Sequence, residues 1–271
     1  MPFADIKLIA TDVDGTLLNS RHELSPDFYA LFEQLKARQV VFSVASGRQY
    51  HNLRNRFASI ADRVVFIAEN GSYVVWQDEQ LLVQALAPGV VTGLLERARQ
   101  LAGVRVVLCG KRTAYIEEAA PEFRALIQKF YDAVELVPDL REVAGDEFLK
   151  IALWDARGAE THLLPHFAHL QGELQVMVSG QYWLDIAHGL ASKGRALAAL
   201  QQQYGIAPAQ TMVFGDYLND LDMMQQAQFS YAMANAHPRV KQAARYQARS
   251  NDEFGVAAVL AQVLASMNAG A

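Results

Sequence analysis

Lys7-Leu-Ile-Ala-Thr-Asp-Val-Asp-Gly-Thr16 is the stretch on which the reading of this chain turns. Its apolar run, Leu8 to Ala10, is too short for a helix of its own and suits a buried strand. The run ends in two carboxylates, Asp12 and Asp14, followed at once by Gly15 and Thr16. A charge buried at a strand end is costly unless it is paired or holds a metal. Ligands of open α/β sheets bind in the crevice outside the carboxyl ends of the strands. An acidic turn and a metal or phosphate site are the two readings open at this point.

The segments on either side repeat the pattern. Ser25-Pro26-Asp27 offers an N-cap with proline at the first helical position, and Phe28, Leu31, Phe32 and Leu35 then mark a helix over about 26–38. Val40 to Ala45 is a second buried strand, ending in Ser46-Gly47-Arg48, and a helix over about 49–58 leads to a third, Val64 to Ala68, ending in Glu69-Asn70-Gly71. Strands alternating with helices at this spacing predict βαβ units and a doubly wound parallel sheet, an α/β fold. The rhythm then breaks. Ser72–Trp76 and Leu81–Ala85 alternate around Gln77 to Gln80 as a hairpin, and from 86 to 187 the spacing is irregular. Helices near 88–101, 121–131 and 158–170, with strands near 104–109, 113–117, 148–154, 174–178 and 182–187, predict an inserted α+β module. The rhythm returns where Ser192 caps a helix over about 193–204. Strands Thr211–Gly215 and Phe229–Met233 follow, and Pro238 opens a short helix before a last one over about 254–266. The expected division is 1–85 with 188–271 for the parallel sheet, and 86–187 for the insert.

Bulk properties narrow the function. Hydrophobic residues make up 52% of the 271 and charged residues 20%, an ordinary globular balance. A net charge of -5 argues against nucleic acid as a partner. No run approaches the roughly 18 apolar residues of a membrane span, and no basic segment leads into a signal-type apolar run. A cytoplasmic protein without a membrane partner is the expectation. The lone cysteine, Cys109, reads as a small buried hydrophobe. Composition leaves the oligomeric state open.

If the strand ends at 12–16, 46–48, 70–71 and 215–220 share one sheet edge, Asp12, Asp14, Asp216 and Asp220 converge and repel. A hard divalent cation such as Mg2+ relieves that repulsion, because a few carboxylates with phosphate and water form its usual shell. Ser46 adds a hydroxyl, Lys193 a point charge, and helix N-termini their N–H groups, together a cradle for phosphate. This chemistry suits phosphoryl transfer, where positioning and charge neutralisation do most of the catalysis.

Asp12-Val-Asp-Gly-Thr-Leu, Ser46-Gly-Arg, Lys193 and Gly215-Asp-Tyr-Leu-Asn-Asp220 resemble, in order, the four signature motifs of the haloacid dehalogenase-like phosphatases. The insert after Glu69-Asn-Gly and a hairpin resembles the Cof-type subgroup, with a Rossmann-like core and an α+β cap over the active site. Val44-Ala-Ser-Gly-Arg-Gln-Tyr50 and Ser230-Tyr-Ala-Met-Ala-Asn-Ala236 are similar to its sugar phosphatases. The resemblance implies Asp12 as nucleophile, forming an aspartyl-phosphate, and Asp14 as acid and then base. Thr16 would fix the loop, and Ser46 and Lys193 would hold phosphoryl oxygens with Gly47 and Arg48 in the same motif. Mg2+ would be held by Asp12, the backbone carbonyl of Asp14 and Asp216, with Asp220 beside them, and Asn219 would orient Asp216 or the phosphate region. Where many relatives carry Pro-Lys-Gly, this chain has Ala187-His-Gly189, which makes His188 a candidate substrate contact. Asn70 is either a turn residue or a site residue.

The substrate implied is a small phosphorylated metabolite such as a sugar phosphate. A phosphosugar mutase shares the aspartyl-phosphate step, and a phosphoacceptor signalling module shares the acidic strand end. Both stand as alternatives. His162, His166 and His169 have helical spacing without an accompanying carboxylate cluster, and read as packing rather than a metal site. Trp183, beside Ser179 to Tyr182, packs in the insert or lines the pocket.

Overall fold

The computed structural model describes residues 3, 5–118 and 120–269. The opening stretch forms β1 (Leu8–Asp12), buried along its whole length. It is followed by α1 (Phe28–Ala37), β2 (Val41–Ala45), α2 (Tyr50–Arg56), β3 (Val64–Ala68), β4 (Tyr73–Trp76) and β5 (Glu79–Val83). Phe28 and Phe32 of α1 each pack edge to face against Phe42 of β2. Ser25 Oγ accepts the Asp27 N–H at 3.3 Å, but the helix itself starts two residues later than expected. A turn closed by the Phe28 N–H on the Ser25 carbonyl precedes α1, and Asp27 takes the cap position without a side-chain bond. The hairpin is tighter than its sequence suggested: Gln77 and Asp78 alone make the turn, both with positive φ, and Glu79 and Gln80 are already strand.

The irregular stretch supplies α3 (Pro88–Arg99), β6 (Arg105–Gly110), β7 (Ala114–Ile116), α4 (Pro121–Ile127), β8 (Val134–Leu136), β9 (Phe148–Trp154), α5 (Leu164–Phe167), β10 (Leu174–Gly180) and β11 (Trp183–His188). The short β8, pairing parallel to β7, has no sequence counterpart in the reading above. The helix expected over 158–170 is a π turn, the single α turn of α5 and a 3-10 turn in succession, with Pro165 at its centre. The chain then returns through α6 (Lys193–Tyr204), β12 (Thr211–Gly215), α7 (Leu221–Gln225), β13 (Phe229–Ala232), α8 (Pro238–Ala243), β14 (Tyr246–Gln247) and α9 (Gly255–Ala269). The Ser192 hydroxyl accepts the Arg195 N–H at 3.1 Å and caps α6, and Gly205 ends it in the left-handed conformation.

Among the described residues the strands form two sheets. The larger has the order β14-β13-β12-β1-β2-β3-β4-β5, with β14 to β3 mutually parallel, β4 antiparallel to β3 and β5 antiparallel to β4. From β1 the chain winds outward through β2 and β3, then returns on the other side through β12, so the order reverses at β1. The smaller sheet, β10-β11-β9-β6-β7-β8, is antiparallel apart from its β7–β8 pair. The larger sheet carries one continuous apolar core. The smaller is packed on both faces, by α3 and the 159–170 turns on one side and by Phe123, Ile127 and Tyr131 on the other. The switch point at β1 aligns the carboxyl ends of β12, β1, β2 and β3, and that edge faces the smaller sheet.

Candidate active site

At the end of β1, Asp12 is buried and one of its oxygens, Oδ1, accepts from Lys193 Nζ at 2.6 Å. Its other oxygen, Oδ2, is buried with no hydrogen-bond partner among the described residues. Lys193, at the first position of α6, also donates to Asp220 Oδ1 at 2.8 Å. Burial alone would lower the lysine's pKa, but Asp12 and Asp220 raise it, so it stays charged. Burial pushes the Asp12 carboxyl well above the usual range; Lys193 opposes this, and Asp220 and Asp216 add to it. Asp216 is pushed up to about 7, first by burial and then by Asp220.

Asp220 organises the loop after β12. Its Oδ2 accepts the backbone N–H groups of Asp216 and Tyr217 at 2.9 and 3.1 Å. Thr16 donates to Asp216 Oδ1 at 3.0 Å, tying the loop after β1 to the loop after β12. Gly15 is required between them: its φ is +77°, and a Cβ there would lie 2.5 Å from Asp216 Oδ2.

Carboxylate oxygens of Asp12, Asp216 and Asp220 lie within 4.8 Å of one another. Three acids this close, two of them with raised pKa values and one with an orphaned oxygen, are electrostatically incomplete. A hard cation fits that donor set.

Asp14 takes a different position. Its carboxylate is gripped bidentately by Arg48, with Nε to Oδ2 at 2.6 Å and Nη2 to Oδ1 at 2.7 Å. Burial would raise the Asp14 pKa, but the Arg48 bonds and charge outweigh it and hold the carboxyl below its ordinary value. Arg48 Nη1 reaches Asn52 Oδ1 and the Lys129 carbonyl, at 2.8 and 2.6 Å, and the guanidinium lies over the Phe130 ring. Arg48, grouped with the phosphate-holding motif, thus has its donors committed to Asp14, to Asn52 on α2 and to the segment after α4.

Ser46 is buried at the end of β2, its Oγ accepting the Arg48 N–H at 3.2 Å. Asn70 is a site residue as well as a turn residue. Its amide donates to Asp185 Oδ2 at 3.0 Å, and its carbonyl accepts from Asn219 Nδ2 at 3.0 Å. A cavity of about 420 Å³ lies between the two sheets and is lined by Asp12, Asp14, Ser46, Gly47, Arg48, Asn70, Asp216 and Asn219 from the sequence motifs. Phe130, Lys150, Trp183 and Asp185 line it from the smaller sheet's side.

His188 does not join them. Along β11 the side chains alternate, so Asp185 faces the cavity while Leu184 and Ile186 pack into the opposite core. His188 shares their parity, borders a separate hollow with Leu86 and Glu173, and its Nδ1 accepts the Leu190 N–H at 3.1 Å. The substrate contact suggested by Ala187-His-Gly189 is therefore withdrawn.

Lys150 and Asp185 escaped the sequence reading. Lys150 Nζ lies 2.8 Å from the Gly47 carbonyl, 3.0 Å from Asp185 Oδ2 and 2.9 Å from Glu69 Oε2. The available signal was a lysine in the middle of Phe148-Leu-Lys-Ile-Ala-Leu-Trp154 and an aspartate within Trp183-Leu-Asp-Ile-Ala187, charges in strands otherwise fit for a core.

A family model described as haloacid dehalogenase-like hydrolase matches residues 9–260. The chain is 34% identical over 266 residues to a 5-amino-6-(5-phospho-D-ribitylamino)uracil phosphatase of Escherichia coli, covering 96% of each. The crystal structure of SMU.1108c from Streptococcus mutans superposes with a TM-score of 0.89 at 30% identity, covering 96% of this chain and 99% of that one. The subclass IIB sugar phosphatase BT4131 matches with a TM-score of 0.79 at 21% identity, covering 94% and 98%, and at that distance shows the fold alone.

Proposed function

This chain belongs to the haloacid dehalogenase-like hydrolases and is a phosphatase, and from that premise we propose that it hydrolyses small phosphate monoesters through a phosphorylated Asp12. Membership sets aside the signalling-module reading; a phosphosugar mutase shares the aspartyl-phosphate step, and release of inorganic phosphate rather than an isomeric phosphosugar separates the two. The observation that carries the mechanism is the division of labour on Asp12: one oxygen is held by Lys193 and the other has no partner.

In the proposed reaction an Asp12 oxygen attacks phosphorus and the P–O bond to the leaving alkoxide breaks. The alkoxide takes a proton from Asp14, whose side chain borders the same cavity. Asp14 then removes a proton from water, which attacks phosphorus, releases inorganic phosphate and restores the Asp12 carboxylate. Lys193 and Ser46 neutralise and orient the phosphoryl oxygens. For Asp14 to deliver its proton, the Arg48 grip must loosen as substrate enters, because that grip favours the ionised form.

Asp12, Asp216 and the Asp14 backbone carbonyl would hold Mg2+, with Asp220 fixing the loop and Lys193. The ion supplies charge neutralisation that lets a carboxylate approach an anionic phosphate.

For the leaving group we propose a sugar or sugar-alcohol phosphate. The Escherichia coli relative is named for a phosphorylated ribityl compound, and the cavity adds aromatic walls from Phe130 and Trp183 to its polar floor. The insert, 86–187, would act as the cap that selects it. Phosphate release from a panel of phosphorylated sugars and polyols tests the assignment. Asp12→Asn should lose at least about a thousandfold in kcat while melting as the wild type does; unchanged turnover in that variant overturns the mechanism.

A further inference from the structure

The turn Glu69-Asn70-Gly71 is the most strained segment near the cavity. Its three residues have φ of +50°, +55° and +93° in succession, and all are buried. Glycine and asparagine accept the left-handed region, but glutamate does so only under constraint. The turn is also the hub of the site. Its Asn70 N–H donates to the Ser46 carbonyl at 2.9 Å, and its Glu69 N–H to the Arg48 carbonyl at 3.1 Å. A Cβ on Gly71 would lie 2.2 Å from the Ser192 carbonyl, so the turn rests directly on the start of α6, which presents Lys193. Asn70 reaches Asn219 on the fourth side.

What holds the turn comes from the other sheet. Lys150 on β9 and Asp185 on β11 are diagonal neighbours on one face, since Asp185 pairs with Ala152. The lysine is buried, as are both acids it meets. It contacts Glu69 and Asp185 and donates to the Gly47 carbonyl, while Asp185 receives the Asn70 amide. Neither Glu69 carboxylate oxygen has a hydrogen-bond partner among the described residues, so the ion pair with Lys150 is the glutamate's main compensation for burial.

We infer that Lys150, with Asp185, is a positioning residue for the phosphatase reaction: when the smaller sheet closes on the larger, this pair locks the strained Glu69-Asn70-Gly71 turn and thereby sets Ser46, Lys193 and Asn219 in register. The inference rests on the same assignment of strand ends as the proposed reaction. It makes catalysis conditional on closure through a polar lock rather than through water exclusion alone.

The test uses the full chain, with p-nitrophenyl phosphate as substrate and amide hydrogen exchange as a readout independent of chemistry. Lys150→Met should lower kcat by about tenfold or more with KM changed by no more than about threefold. Amides of 69–72 should exchange at least about tenfold faster while those of β1 and β12 keep wild-type protection. Combining it with Asn70→Ala should cost little beyond the worse single variant, because both break one chain of contacts. A raised KM with kcat intact would make Lys150 a substrate contact and overturn the inference, as would wild-type kcat and exchange in the folded variant. If Lys150→Met does not fold, Asp185→Asn, nearly isosteric, is read by the same measures and the same criteria. Should the wild type release no phosphate, the reaction reading falls while the exchange data still judge the lock.

Discussion

Two buried lysines, Lys193 and Lys150, each sit among carboxylates, and the two clusters behave differently. Lys193 joins Asp12 and Asp220, all supplied by the larger sheet, and leaves Asp12 Oδ2 without a partner. Lys150 joins Glu69 and Asp185, one acid from each sheet, and adds a backbone carbonyl. The first cluster has an excess of negative charge with Asp216 beside it, which the cation and phosphate of the proposed reaction would offset. The second is completed by the closure of one sheet on the other. In the proposed reaction one lysine would serve chemistry and the other assembly, although both are hidden from solvent.

The sharpest way to break this distinction is to remove charge from the first cluster. Beyond Asp12→Asn, Asp216→Asn should reduce kcat by at least about a hundredfold. Wild-type enzyme stripped with EDTA should lose activity and regain it with Mg2+. Mg2+ should also raise its Tm, because a ligand that binds only the folded state stabilises it. In Asp216→Asn that rise should vanish. A Tm that Mg2+ leaves unmoved in the wild type would argue that the acids hold no ion.

Arg48 connects the two regions, gripping Asp14 on one side and the Lys129 carbonyl and Phe130 ring on the other. Arg48→Met should lower kcat/KM by about tenfold and free the Asp14 carboxyl to titrate at a higher pH. Because Asp14 is depressed in the folded protein, its pair with Arg48 stabilises the fold above the ordinary carboxylate pKa and loses that effect as pH falls through the lowered value. Wild type and variant should thus differ in Tm near neutrality and converge in acid, below about pH 4. Parallel melting curves across that range would show that the pair does not act as described.

The smallest effect concerns Cys109, at the far side of the Lys150 cluster. Burial pushes its thiol far up, and Glu69 adds to the shift. Thiol reagents should leave the native enzyme's turnover unchanged and modify Cys109 only on unfolding. Rapid labelling of the native protein would mean that the space behind the lock opens readily.

The larger sheet was almost wholly legible because its signals are local. Each of β1, β2, β3 and β12 is a short apolar run ending in the polar residues that the carboxyl edge uses, whereas the two-residue β14 carries too little pattern to be read. Its differences from expectation are local too: Ser25 holds, with both its hydroxyl and its carbonyl, a turn ahead of α1 rather than the helix's own first residue, and at Gln77-Asp78 two left-handed residues close the hairpin that four were expected to span. On the smaller sheet Trp183, a candidate for the pocket, does line the cavity, but the charged residues Lys150 and Asp185 carry no local signal that marks them as site residues. Lys150 and Asp185 stand 35 residues apart and come together only through the register of β9 with β11.

By itself, then, the sequence determined the chemical inventory: Asp12, Asp14, Ser46, Lys193, Asp216 and Asp220 lie at strand and helix ends, where order along the chain and hydrophobic period already place them. Tertiary structure decided the partners. It gave Arg48 to Asp14, turned His188 to the wrong face of β11, and set Lys150 against Glu69. The physical reason is that an ion pair depends on which face of a strand meets which loop, and a shift of one residue along β11 would have exchanged His188 for Ala187 and Asp185 for Leu184.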